Sequence, residues 1–194
     1  PGSVRPPQGS PTYRWIVAVL GGDRDVVVAA INAAGLTAAN ENGAGQIVAA
    51  GSLTALAALA ENPPEGSRVR ALAVSGAFHT STMVPAVSHL ATLAASLHAT
   101  DPMIPFISNK DGAVVESGRE ILDRIVGQIA GPVRWDLCME TMAKCGVTGV
   151  IEVPPAGTLV GLVKRAQSEI QTFALKGPED LDAAKAFIAE HGGN

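Results

Sequence analysis

Cysteine, aromatic residues and positive charge are all scarce in this chain, and each scarcity excludes something. Two cysteines in 194 residues cannot build a disulfide framework. Cys138 and Cys145 are predicted to lie in one helix, where seven residues span about 10 Å, too far for a bridge. Free thiols, and with them a cytoplasmic setting, are the expectation. No Cys-x-x-Cys occurs, and no two of His79, His89, His98 and His191 have the helical i, i+3 or i, i+4 spacing, so a metal site is not expected. No apolar run approaches the roughly 20 residues that cross a bilayer. The proline-rich stretch Pro1–Pro11 has no apolar core of the kind a secretory signal needs. The formal net charge of -4 speaks against non-specific nucleic-acid binding. An acidic partner would have to find a local basic patch.

What is present is an Ala/Val/Leu/Gly-rich chain, 47% apolar and 4% aromatic, long enough for one domain or one and a half. Residues 1–14 read as linker, tag or processed segment. From Trp15 to Val74 the punctuation predicts β-α-β-β-α-β, the order of a ferredoxin-like unit. Its strands fall at 15–20, 36–40, 46–50 and 69–74. Its helices fall at 23–34, closed by Gly35, and from the Ser52 N-cap to Glu61 before Pro63-Pro64. The turn Asn42-Gly43-Ala44-Gly45 joins two strands, which suits a hairpin better than a phosphate cradle.

Beyond residue 75 the rhythm becomes strand–helix. A helix is predicted over 80–97, with Met83, Val87, Leu90, Ala94 and Leu97 on one face, then a buried strand at 104–107. Helices follow over 117–130, striped by Ile121, Leu122, Ile125 and Ile129, and over 135–144. A strand at 147–153, a helix ending at Arg165, a strand at 170–175 and a helix over 178–190 complete the pattern. The fold class is α/β, with the later strands forming part of a parallel sheet.

His79 is the residue that carries chemistry in Ser75-Gly76-Ala77-Phe78-His79-Thr80-Ser81-Thr82-Met83. It sits where a strand gives way to a helix, a usual place for sites in α/β folds, and imidazole is suited to general-base work near neutral pH. The competing reading is a histidine that packs or caps locally at a helix start. His89, His98 and His191 read as surface residues. No serine has the Gly-x-Ser-x-Gly elbow that would expose a nucleophile. Cys145, near a helix C-terminus, gains no thiolate stabilisation there and reads as a packing cysteine. Lys164 and Arg165 complement the end of their helix, which is a sufficient reason for them.

From Val17 to Arg165 the chain resembles the bacterial malonyl-CoA:acyl-carrier-protein transacylases of fatty-acid synthesis, in actinobacterial wording. The resemblance rests on Asn-Glu-Asn-Gly-Ala-Gly-Gln at 40–46, Gly-Ala-Phe-His-Thr-Ser-Thr-Met at 76–83 and Ser-Asn-Lys-Asp at 108–111. It rests equally on Gln128 with Pro-Val-Arg-Trp at 132–135 and Pro-Ala-Gly-Thr-Leu-Val-Gly-Leu-Val-Lys-Arg at 155–165.

The resemblance implies a ferredoxin-like subdomain (15–74) inserted in a hydrolase-like α/β domain, of which 75–194 is the C-terminal part. It implies that His79 activates a serine, held in position by the backbone carbonyl of Gln128. Malonyl would pass from coenzyme A through an acyl-serine to the phosphopantetheine thiol of acyl carrier protein, with no permanently bound cofactor. Phe78, Asn109 and Asn42 are the implied substrate-binding residues, and Lys164 and Arg165 the implied carrier-docking pair. Phe78 would fill the space that a branched acyl group needs. The family's Pro-Gly-Gln-Gly segment, Gly-His-Ser-x-Gly elbow and carboxylate-binding arginine are missing, so the chain alone is expected to be inactive. The missing N-terminal half is then a candidate partner. The alternative is a non-catalytic fragment or partner-binding module of the same family, and more remotely an independent binding module.

Overall fold

The computed structural model describes residues 14–72 and 76–192. The expected linker lies almost wholly outside these residues, as do Val74 and the 74/75 boundary.

The first unit runs β1 (Arg14–Gly21), α1 (Arg24–Ala33), β2 (Thr37–Glu41), β3 (Gln46–Ser52), α2 (Leu53–Glu61) and β4 (Ser67–Ala71). Local chemistry sets the helix starts. The Asp23 carboxylate accepts from the backbone N–H groups of Asp25 and Val26, and Ser52 Oγ accepts from Ala55 N. The strands pair in the order β4-β1-β3-β2, antiparallel throughout. Val17, Val19, Ile47 and Ala49 face α1 and α2, and pack on Val27, Ile31, Leu56 and Leu59 in one continuous core. The other sheet face carries Ile16, Val48 and Ala50. Leu20 pairs with Gln46 on one side and Arg68 on the other, so these three form a row on that second face.

The remaining elements are a 3-10 turn (Ser81–Met83), α3 (Val84–Ala95), β5 (Phe106–Ile107), β6 (Val114–Val115), α4 (Gly118–Gln128), β7 (Val133–Arg134), α5 (Trp135–Lys144), β8 (Gly149–Glu152), α6 (Leu159–Ala166) and β9 (Gln171–Ala174). A second 3-10 turn (Pro178–Asp180) leads into α7 (Leu181–His191). The expected parallel sheet is realised among the described residues only as the pair β8–β9. β5 instead forms an antiparallel hairpin with β6, and β7 extends the first sheet by pairing parallel to β2. Two-residue strands leave no alternation to read in the sequence.

The strand expected at 104–107 is confined to Phe106–Ile107, and its predicted burial is not seen. Met103 is 99% exposed and Ile104 78% exposed, because no layer among the described residues covers them. Of the stripe expected over 80–97 only Ala94 is fully buried; Leu97 lies beyond the end of α3 and is more than half exposed, and on α4 Ile125 is half exposed. Cys138 is the packed cysteine and Cys145 is exposed, the reverse of the role given to Cys145. His191 is not a plain surface residue either: its ring stacks on Phe187 at 4.4 Å and its Nδ1 meets Thr148 Oγ1 at 3.0 Å.

Candidate active site

His79 stands between β4 and the 3-10 turn with a left-handed backbone, φ 62°. A non-glycine residue adopts this conformation only when its surroundings over-determine it. Here two consecutive carbonyls at the end of α4 do so. The His79 backbone N–H donates to Ile129 O at 3.1 Å, and its ring Nδ1 lies 2.9 Å from Gln128 O. A carbonyl only accepts, so Nδ1 carries the proton and Nε2 is left as the acceptor. Thr80 secures the chain just beyond, its hydroxyl donating to Ala77 O at 2.7 Å.

The ring opens on a cavity of about 420 Å³ lined by Phe106, Ile107, Asn109, Ile125, Gln128, Ile129, Trp135 and Cys138. Asn109 is therefore brought to the histidine. Its carbonyl accepts from Arg134 N at 2.7 Å, which ties the 108–112 turn to β7. Arg124 fixes the same turn through its Nη1, which donates to both carboxylate oxygens of Asp111, at 2.8 and 2.9 Å. Burial pushes the Asp111 carboxyl up, but the Ala113 N–H and the Arg124 guanidinium prevail and hold it below the ordinary carboxylate range. Burial pushes the Cys138 thiol up to about 11, helped by the Asp136 and Asp111 charges, so it is an inert wall of the cavity.

Phe78 precedes His79, half exposed, with its ring lying over Gly76. Asn42 lies in the β2–β3 hairpin, where its N–H donates to Gln46 O, and is not among the residues lining the histidine cavity. Lys164 and Arg165 occupy the exposed last turn of α6. Arg165 lines a second cleft of about 660 Å³, together with Arg68, Gln46, Leu20 and the backbone of Gly21, Gly45 and Gly66. Arg165 Nη2 reaches Gln46 Oε1 at 3.5 Å. No carboxylate lines this cleft, and neither arginine has an acidic partner among the described residues.

Sequence reasoning missed Trp135 and Cys138 as cavity walls and Arg124 as the brace of the Asn109 turn. For the first two, the helical spacing of an amphipathic α5 was the available signal; for Arg124 no local pattern points to Asp111. Among the described residues no cluster of three potential metal-ligating side chains occurs, and no helix is long and apolar enough to cross a membrane.

No family model matches the chain. Curated proteins do. It is 50% identical over 165 residues, 85% of its own length and 55% of theirs, to the malonyl CoA-acyl carrier protein transacylases of Mycobacterium bovis and Mycobacterium tuberculosis. It is 32% identical over 158 residues to the enzyme of the same name from Bacillus subtilis, covering 80% of this chain and 50% of that one. Among solved structures, the Mycobacterium tuberculosis enzyme matches with a TM-score of 0.83 at 48% identity, over 88% of this chain and 56% of that one. A chain in the structure of a type II PKS acyl-carrier protein in complex with its malonyl-transacylase matches with a TM-score of 0.80 at 26% identity, over 91% of this chain and 59% of that one. The chain thus spans about half the length of the relatives it matches.

Proposed function

We propose that this chain, a relative of the malonyl CoA-acyl carrier protein transacylases over about half their length, is the C-terminal part of such an enzyme and supplies its general base. The observation that carries the reading is the His79–Gln128 contact, which fixes the Nδ1–H tautomer and leaves Nε2 free.

In this reading a serine from the segment absent here donates its Oγ proton to His79 Nε2 as Oγ attacks the malonyl thioester carbonyl. The imidazolium then protonates the departing coenzyme A thiolate, leaving malonyl on the serine. The phosphopantetheine thiol of the carrier loses its proton to the same Nε2, its sulfur attacks the acyl-serine, and the serine oxygen is reprotonated. The Gln128 carbonyl does the orienting that a carboxylate does in a Ser-His-Asp triad. No resident cofactor is called for. Asn109 is the substrate-side residue supported by its place in the cavity, and Phe78, half open beside the base, is the candidate for excluding branched acyl groups. The Arg68/Arg165 cleft, with Lys164 beside it, is the docking surface for the acidic groups of coenzyme A and carrier protein. Residues 15–74 are the ferredoxin-like subdomain, supported by the β4-β1-β3-β2 order. The setting is cytoplasmic, and the bare apolar groups at Met103, Ile104 and Leu97 are where the missing half would pack.

The test is acyl loading. The chain alone, incubated with malonyl-CoA, should show no covalent malonyl adduct by intact mass. Supplied with the segment bearing the nucleophile elbow, it should support transfer to carrier protein, and His79→Ala should abolish that transfer. A malonyl ester mapping to a residue of this chain would overturn the assignment. A second reading, a partner-binding module, is favoured only by the arginine cleft, which needs no nucleophile. Carrier binding without complementation would decide for it.

A further inference from the structure

The exit of α4 closes on itself through one side chain. Gln128 Nε2 donates to Gly131 O at 3.0 Å and to Pro132 O at 2.7 Å, using both of its amide hydrogens. The same residue's carbonyl receives His79 Nδ1 at 2.9 Å, and the next carbonyl, of Ile129, receives His79 N. Four carbonyls of the 128–132 turn are therefore engaged, two by His79 and two by the Gln128 side chain. Pro132 has no N–H to contribute and leads directly into β7, whose pairing with β2 anchors the far end of the turn.

A helix end leaves several carbonyls without intrahelical donors, and such turns adopt many shapes unless tied. We infer that the side-chain amide of Gln128 is a positioning residue for His79. By tying the helix end to Gly131 and Pro132 it fixes the direction in which Gln128 O and Ile129 O present themselves, and so selects the ring tautomer and holds the left-handed backbone at residue 79. One residue then supplies both the acceptor and the clamp that aims it. The ring geometry at stake is an attribute of this chain by itself, although its catalytic meaning rests on the reading of His79 as base.

The experiment uses the chain as it is, labelled with 15N on histidine, and needs no turnover. Two-bond 15N–1H correlation distinguishes the Nδ1–H from the Nε2–H tautomer of neutral imidazole. His191, whose Nδ1 lies 3.0 Å from Thr148 Oγ1, reports in the same spectrum on the integrity of a distant part of the fold. Wild-type His79 is expected as a single Nδ1–H tautomer with a protected ring proton. In Gln128→Met, which keeps side-chain length but removes both donors, that proton should exchange at least about tenfold faster, or a second tautomer should appear, with His191 unchanged. An unchanged His79 pattern overturns the inference. If the His191 signature is also lost in that variant, isosteric Gln128→Glu replaces it. There the donor pair becomes an acceptor facing two carbonyls, the same loss is expected, and an unchanged His79 again overturns the proposal. If the clamp effect is seen but complementation never restores transfer, it is the catalytic reading that fails, not the positioning.

Discussion

The imidazole of His79 meets the carbonyl of Gln128 at 2.9 Å, and the two residues come from opposite ends of the connection between β4 and β7. Nothing ionisable is spent on orienting the ring. With the elbow segment supplied, His79→Ala should lower malonyl transfer by roughly three or more orders of magnitude, because base and nucleophile act as a unit. Gln128→Ala keeps the backbone acceptor and loses only its clamp, so a loss of about tenfold is expected. Steady-state transfer to carrier protein checks both, and equal losses would count against the division of roles.

Arg68 and Arg165 meet at one cleft from distant parts of the chain, with Lys164 on the same helix end. Replacing Arg68 and Arg165 together by Gln should slow carrier association about tenfold at low salt and leave dissociation nearly unchanged. The difference should shrink as ionic strength rises toward roughly 1 M. Surface plasmon resonance across a salt series gives the answer, and a salt-independent affinity would assign these side chains to ordinary solvation.

Glu152 at the end of β8 accepts from the backbone N–H groups of Gly157, Leu159 and Val160 at 2.8 to 3.0 Å, and so caps the start of α6. Burial pushes this carboxyl up, but the amides outweigh it and hold it below its ordinary value. The stabilisation is therefore present above the unfolded pKa, about 4.3, and is lost as pH falls through the lower folded value. Glu152→Ala orphans three amides and should cost about 1–3 kcal/mol at pH 7. Thermal melts at pH 7 and at low pH should show the difference between variant and wild type narrowing in acid.

The two thiols should separate kinetically. At pH 8 an alkylating reagent should add once per chain, at exposed Cys145, while Cys138 reacts only after denaturation. Intact mass with and without denaturant reads this directly, and rapid double addition would show that the cavity wall opens.

Much of this architecture was legible residue by residue. Asp23, Gly35, Ser52 and Pro63 marked the limits of α1 and α2 because capping and turn chemistry are local. The approach of His79 and Gln128 followed only from the family resemblance, since no spacing encodes a contact between a ring and a distant carbonyl. The two-residue strands β6 and β7 were beyond periodicity, whereas β5 falls within the strand expected at 104–107. The predicted burial at 104–107 failed because an apolar run says that a surface wants covering, not that this chain covers it. The pairing of Arg124 with Asp111 joins a helix to a loop and leaves no trace in either local pattern.

Two demands meet at His79: an imidazole that reaches the Gln128 carbonyl, and a left-handed backbone that glycine or asparagine adopts with less cost. Folding and chemistry therefore pull in different directions there. His79→Gly or His79→Asn would relieve strain of about 1 kcal/mol while discarding the ring and its bond to Gln128 O. In the reading of His79 as general base, the imidazole is kept at the expense of that strain.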